Sequence, residues 1–237
     1  MRESKDSDFA YSWHDGAARK SQFGRGLVFL GSWTDEPCAA ADRGYVPMSA
    51  SSRARSPLSL WNRATMRPAN VVFRRLAAHR ATRVESAFDA EFPFARRTLY
   101  HRLYGRPGLA EIQVLVPDAR LAQFIAELAA IVHDIDPPLA MMSMKQFSGR
   151  ARSLGMSGAG MLFALDLARD EATQRFAAAV DALIVRVGAQ PNVAKDSRLP
   201  APVAARSLPH YDRFRNRLRA LDPDRLYESE LSRRLDL

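Results

Sequence analysis

Hydrophobic residues change their spacing several times along the C-terminal two thirds of this chain. In "IQVLVPDARLAQFIAELAAIVHD" a short apolar run meets Pro117. Beyond it the apolar positions recur three or four residues apart, at Leu121, Phe124, Ile125, Leu128 and Val132. Such spacing places them on one face of a helix. We therefore predict a strand and then a helix, with Asp118 as its N-cap and an end near His133.

The same alternation of periods continues downstream. "PPLAMMSMKQF" and "GMLFALDLA" are typical of strands, and a glycine-rich connection separates them. "RDEATQRFAAAVDALIVRVG" predicts a helix that stops at Gly188 and buries Phe176, Val180, Leu183, Ile184 and Val187. A last extended stretch, "AQPNVAKD", ends its strand at Lys195.

The resulting order is strand, helix, strand, strand, helix, strand. It predicts an α+β fold built on a ferredoxin-like βαββαβ unit, with both helices on one face of an antiparallel sheet. Upstream, "FAYSWHDGA" and "GRGLVFLGSW" predict two strands that extend the sheet. The C-terminal "PHYDRFRNRLRALDPDRLYESELSRRLDL" predicts a helical tail interrupted at a proline.

The hydrophobic residues of the segment 35–100 show neither the three-to-four spacing of a helix nor the alternation of a strand. The segment is rich in Ser, Arg and Pro, and "NVVFRRLAAHRATRV" is its one convincing helical run. A stretch of this length and composition is typical of a mobile lid or a partly disordered excursion.

Composition narrows the protein class. The chain has 237 residues, of which 47% are hydrophobic, enough for a packed core. No apolar run reaches the roughly 18 to 20 residues of a membrane span, and the N-terminus is too polar for a secretory signal. We therefore expect a soluble, cytoplasmic protein. The single Cys38 excludes an internal disulfide and is typical of an incidental loop thiol.

Positive charge is concentrated in one segment. The net charge is +9, and residues 43–106 hold 13 Lys and Arg against 3 Asp and Glu. Such a segment can attract nucleic acid, an anionic membrane surface or a phosphorylated substrate. A solvated arginine-rich surface explains the same composition.

Two of the four lysines fall inside apolar stretches, whereas the chain has 31 arginines. Lys145 follows three methionines in "MMSMKQF", where it either extends to a sheet edge or points into a pocket. Lys195 is either a compact charge for a ligand above the sheet or a surface partner of Asp196.

The glycines of "GMSGAG" lead into a strand rather than a helix, so a phosphate-binding loop is not indicated. The five histidines are scattered and predict no metal site.

Several motifs, in order, resemble the C-terminal half of flavin-linked oxidases of the vanillyl-alcohol-oxidase type, and within it the decaprenylphosphoryl-ribose oxidase-like proteins. They are "YSWHDGA", "FGRGLVFLG", "HRLYGRPG", "IQVLVP", "KQFSG", "ALDLA", "AKDSRL" and "LDPDRLYESELSRRLDL". The resemblance implies an FAD cofactor whose main binding domain is not in this chain. It also implies that residues 1–194 form a substrate-covering domain and that residues 195–237 pack on an FAD-binding domain, supplied in cis or in trans.

The resemblance assigns roles to individual positions. It implies that Lys195 approaches flavin and substrate as the catalytic lysine, and that Asn192 and Ala194 touch the cofactor on the approach strand. It further implies a substrate pocket lined by Trp13, Glu111, Gln113, Lys145 and Ala164. Glu111 stands where the family tends to have an amide, and Ala164 where related enzymes have a cysteine.

The activity so implied is oxidation of a secondary alcohol on a sugar or a polyprenyl-phosphoryl sugar by hydride transfer to flavin. The basic segment would recruit an anionic or lipid-linked substrate at the inner face of a membrane.

Two alternatives to this function stay open. One is a freestanding ferredoxin-like module that binds RNA or a small acidic ligand. The strands offer few aromatics for base stacking, and no nucleic acid is expected. The other is an inactive, truncated subunit.

Overall fold

A computed structural model describes residues 7–19, 22–37, 56–78, 82–86, 88–89, 98–151 and 153–237. Cys38, His79 and much of the segment predicted as a lid lie outside the described residues. The strands are β1 (Phe9–Asp15), β2 (Gly26–Gly31), β3 (Leu109–Pro117), β4 (Leu139–Gly149), β5 (Gly158–Ala168) and β6 (Gln190–Pro191). The helices are α1 (Arg63–Ala78), α2 (Thr98–Arg102), α3 (Leu121–Ile135), α4 (Glu171–Val187), α5 (Ala201–Ser207), α6 (Tyr211–Leu221) and α7 (Glu230–Arg234).

The six strands form one sheet in the order β2-β1-β4-β5-β3-β6, and all neighbouring pairs are antiparallel. Between β3 and β6 the elements follow the predicted βαββαβ order. The upstream strands β1 and β2 extend the sheet beyond β4, as predicted. The α+β fold with an extended antiparallel sheet is therefore confirmed.

The main core lies between the sheet and helices α3 and α4. Alternate residues of β3, namely Ile112, Val114 and Val116, are buried there with apolar residues of both helices. The two helices therefore share one face, as predicted. Ile125 was predicted to share the buried stripe, and this was wrong, because its side chain is 38% exposed. The stripe of α3 is narrower and is centred on Phe124, Leu128 and Val132.

The helix ends differ in how well the sequence predicted them. Gly188 ends α4 in the left-handed region (φ 67°), where glycine has no Cβ to clash. Asp118 does not cap α3, because a 3-10 turn over Asp118–Arg120 precedes the helix and its side chain accepts no capping bond. α3 consequently starts at Leu121, and it continues two residues past His133.

Helix α1 packs on the opposite side of the sheet. It begins at Arg63, seven residues before the run that the sequence predicted, and it contains Pro68. Proline removes one helix hydrogen bond and is uncommon inside a helix, so the sequence did not predict the first half of α1. Tertiary contacts compensate for the loss, since Met66 is buried and the Asn70 side chain donates to Asp15 Oδ1 at 2.6 Å and to the Ala140 carbonyl at 2.8 Å.

The C-terminal helices α5–α7 form a second, smaller core with the segment that follows β6. Leu199, Leu208, Tyr211, Leu235 and Leu237 are buried in it. Among the described residues no helix combines the length and the apolar character needed to cross a membrane.

Candidate functional site

One row of residues crosses the sheet on the face opposite α3 and α4, which we call the open face. Strand register aligns Trp13 with Ser143, Ser143 with Ala164, and Ala164 with Gln113. Asn192 continues the row, because its backbone N–H donates to the Gln113 carbonyl at 2.9 Å. Four residues that the sequence predicted as site residues, Trp13, Ala164, Gln113 and Asn192, therefore lie in one line that crosses β1, β4, β5 and β3 and ends just after β6.

Two further predicted residues flank this row on the same face, because side chains two positions apart along a strand point the same way. Glu111 precedes Gln113 on β3 and pairs with Asp166 of β5. Lys145 follows Ser143 on β4 and lies between Tyr11 and Leu162. Met142 and Met144, by contrast, point toward the helices, so Lys145 does not share a face with them.

Hydrogen bonds connect the polar residues at the β3 end of the row. The Asn192 amide donates to Gln113 Oε1 at 2.9 Å, and the Gln113 amide donates to Glu111 Oε1 at 2.6 Å. Lys195 Nζ lies 3.6 Å from the other oxygen of Glu111. The Lys195 side chain is still 53% exposed, so its ammonium group remains accessible from the open face.

Lys195 was predicted at the end of a strand, and this was wrong. β6 ends at Pro191, and Lys195 lies in a tight turn in which the Asn192 carbonyl accepts bonds from the N–H groups of Lys195 and Asp196. The Asn192 side chain also accepts from the Ala194 N–H at 3.1 Å. Because Asn192 organises both the turn and the polar row, Ala194 is placed at the exposed outer edge of the site.

The alternative of a surface pair between Lys195 and Asp196 is also wrong. The Asp196 side chain is fully buried and pairs with Arg198 at 2.8 Å. Arg198 in turn makes bonds of 2.5 and 2.9 Å to the two oxygens of Asp181 on α4. Burial raises the pKa of Asp196, and the nearby Arg198 guanidinium opposes that rise. This buried network fixes the turn that presents Lys195.

Sequence reasoning missed Asp166. Its Oδ2 accepts a 2.7 Å bond from the Tyr100 hydroxyl, which also contacts the Tyr104 hydroxyl at 2.7 Å. Burial raises the pKa of Asp166 to about 7; the Tyr100 bond lowers it, repulsion by Glu111 raises it, and Lys195 lowers it. Burial also raises the pKa of both tyrosines. The one signal available was a lone acidic residue in the apolar strand "ALDLA".

Aromatic side chains close the other end of the row. Trp13 is buried because the Phe73 ring of α1 packs on it at a centroid distance of 4.7 Å. Next to it, Tyr11 stacks on Phe29 at 4.8 Å. Between this aromatic end and the polar end, Ser143 and Ala164 are small, so the floor of the face between the two ends carries no bulky side chain.

The donor set suits the edge of a flat heteroaromatic ring such as isoalloxazine. The amides of Gln113 and Asn192 and the ammonium of Lys195 can meet ring nitrogen and carbonyl groups, and Ala164 leaves room for a ring. The glycine-rich segment before β5 does not form a phosphate-binding loop, because Gly158 and Gly160 belong to the strand and lead into no helix. Within the described ranges no group of three or more His, Cys, Asp or Glu side chains could hold a metal ion.

Comparison with known proteins adds a distant relative. No family model matches the chain. The chain is similar to decaprenylphosphoryl-beta-D-ribose oxidase of Mycolicibacterium smegmatis (strain ATCC 700084 / mc(2)155), with 22% identity over 247 aligned residues. The alignment covers 99% of this chain and 53% of the relative, so the chain spans about half of the relative's length. This supports a family-level relationship to an oxidoreductase.

Proposed function

We propose that the open face is the substrate side of an FAD-dependent oxidoreductase that oxidises a secondary alcohol of a sugar or of a polyprenyl-phosphoryl sugar. The observation that carries the proposal is the continuous set of polar contacts at the β3 end of the open face, which we call the polar row. It runs from Asn192 through Gln113 and Glu111 to Lys195. The distant relationship to an oxidase that is named for a phosphoryl-ribose supports the same substrate class.

In this proposal FAD, when bound, supplies the two-electron oxidant, and the chain supplies position and charge. Lys195 would supply a compact cation near the bound cofactor and substrate, where it would stabilise negative charge that develops during the reaction. Lys145, near the aromatic end of the row, holds an anionic group of the substrate. Gln113 and Asn192 orient hydroxyl or carbonyl groups through their amides.

A flavin-binding domain, supplied in cis or in trans, is the partner that this proposal requires. The open face retains an accessible cation and a floor of small side chains for such a partner to cover. Exclusion of water would strengthen each charge interaction at the face, because the local dielectric constant falls.

Substitution of Lys195 tests the proposed site. With a flavin-binding domain fused or co-expressed, Lys195→Ala should slow flavin reduction by the substrate by on the order of a hundredfold, the usual cost of losing a positioned charge donor. Lys195→Arg should not restore the rate, because a planar guanidinium has a different size and geometry. Lys145→Ala should act mainly on KM. The measurement is stopped-flow flavin absorbance.

The matched control is Arg186→Ala, which removes an exposed cation that pairs with Glu127 away from the open face. It should leave the reduction rate unchanged. If Lys195→Ala also leaves the rate unchanged in a folded protein, Lys195 has no part in the chemistry and the proposed site is wrong.

A further inference from the structure

The polar row has a second carboxylate behind it, and the proposed function gives that carboxylate no role. Asp166 and Glu111 are cross-strand partners on the open face. Side chains of directly opposed residues in an antiparallel pair lie close together, and two like charges there repel each other. Glu111 is partly exposed beside Lys195, whereas Asp166 is 8% exposed.

Three of the elements around Asp166 contribute a group that affects its charge. Tyr100 donates a hydrogen bond from α2, and Tyr104 contacts Tyr100 from behind. Glu111 faces it from β3, with His101 of α2 in the field of Glu111, and Lys195 approaches from the turn. On β4 its partner is the apolar Met141. One cation and one hydrogen-bond donor thus face two carboxylates, so the cluster favours holding one proton.

Alcohol oxidation requires such a proton acceptor. The reaction breaks the carbinol C–H bond, whose electron pair leaves as hydride to the flavin oxidant. It also breaks the O–H bond, whose proton must go to a base, and a carbonyl results. Glu111 is the carboxylate nearest to the accessible Lys195.

We propose that Glu111 and Asp166 form a carboxylate pair that accepts the hydroxyl proton of the substrate, with Glu111 in contact with the substrate and Asp166 as the positioning residue that retains the proton behind it. This inference rests on the proposed function. In it Lys195 Nζ lies 3.6 Å from Glu111, and the Tyr100 hydroxyl stabilises the ionised form of Asp166. The burial that raises the pKa of Asp166 agrees with this role, since a base that titrates near neutral pH can both take up and release a proton.

The pair can be tested in the 237-residue chain without any flavin. We expect the ¹³C carboxyl resonance of Asp166, identified by its loss in Asp166→Asn, to titrate near pH 7. Glu111→Gln should lower that midpoint by about 1 pH unit, because it removes a like charge. Tyr100→Phe and Lys195→Met should each raise it, because each removes an interaction with the ionised form. Glu127→Gln, a carboxylate of α3 that pairs with Arg186 away from the open face, should leave it unchanged.

These opposite shifts would show that the two carboxylates are electrostatically coupled, and the pH dependence of flavin reduction separates a proton acceptor from a buried structural carboxylate. If Asp166 titrates as an ordinary carboxyl, or if Glu111→Gln leaves its midpoint in place, the inference is overturned while the proposed function stands. If the pair titrates as expected but the flavin-complemented protein reduces no flavin with any sugar alcohol, the proposed function fails and the proton-acceptor role fails with it. Where flavin is reduced, the rate should rise with pH through about 7. A rise that persists unchanged in Asp166→Asn would also overturn the inference.

Discussion

At the scale of a single residue, the buried carboxyl group of Asp166 makes the free energy of unfolding depend on pH. Asp166 has a pKa of about 7 in the folded chain, mainly because of burial, against an ordinary value of about 3.9. Between these two values the folded state keeps a proton that the unfolded chain has already released. The free energy of unfolding therefore falls as pH rises from about 4 to about 7, and this group adds no further loss above that range.

Asp166→Asn should remove this pH dependence, because asparagine stays neutral and can still accept the Tyr100 bond. We expect the variant to exceed the parent in free energy of unfolding by up to about 4 kcal/mol near pH 8, with the difference vanishing near pH 4. Urea denaturation at several pH values measures it. Glu127→Gln should give no such gain. A parent and variant that run parallel over the whole range would contradict the assignment.

Individual site residues were predictable from the sequence to different degrees. Trp13, Glu111, Gln113, Lys145 and Ala164 fall on strands, where a period of two residues and a motif resemblance together assign a face. Asp166 lies on an equally regular strand, but its importance depends on Tyr100, which comes from a separate helix 66 positions earlier. A pattern along the chain does not contain that contact.

At the scale of elements, periodicity predicted helices and strands but not the turn that presents Lys195. α4 and β5 follow from their apolar spacing and end where glycine or a charged residue interrupts it. The turn from Asn192 to Asp196 instead follows from bonds between side chains and backbone, such as the Arg198 N–H donating to Asp196 Oδ1 at 3.1 Å. Asn and Asp make such local bonds readily, but nothing in their spacing tells which carbonyl or carboxylate they will meet.

Arg198 links this turn to α4, and its removal should destabilise both. Arg198→Ala leaves Asp196 and Asp181 as two buried carboxylates without their cation. We expect a loss of about 3 to 5 kcal/mol in the free energy of unfolding, the usual effect of breaking a buried ion pair on one side. Arg186→Ala, which breaks an exposed pair on the same helix, should cost at most about 1 kcal/mol. Comparable losses for the two variants in chemical denaturation would show that the Arg198 network does not fix the turn.

At the scale of the whole molecule, the sheet places the aromatic end of the open face under a basic helix. Phe73 of α1 covers Trp13, and residues 63–78 include no acidic residue. On the outer side of α1, Val72 and Leu76 are 55% and 63% exposed, and Arg67 and Arg75 of the same helix are exposed as well. A basic helix with exposed apolar side chains is suited to an anionic lipid surface.

If the substrate is lipid-linked, as proposed above, such an arrangement would bring the open face close to it, and we therefore expect α1 to have affinity for a membrane surface. We expect the chain to co-sediment with vesicles that contain phosphatidylglycerol at low salt, and to dissociate as the Debye length falls below about 10 Å. A double variant, Arg67→Gln with Arg75→Gln, should weaken binding by roughly 30-fold, at about 1 kcal/mol for each arginine near the surface. The double variant Arg213→Gln with Arg217→Gln on α6 removes the same net charge away from α1 and should bind nearly as well as the parent. Equal losses in the two variants would mean that net charge alone attracts the vesicles, and absence of binding by the parent would exclude a membrane surface as a partner of α1.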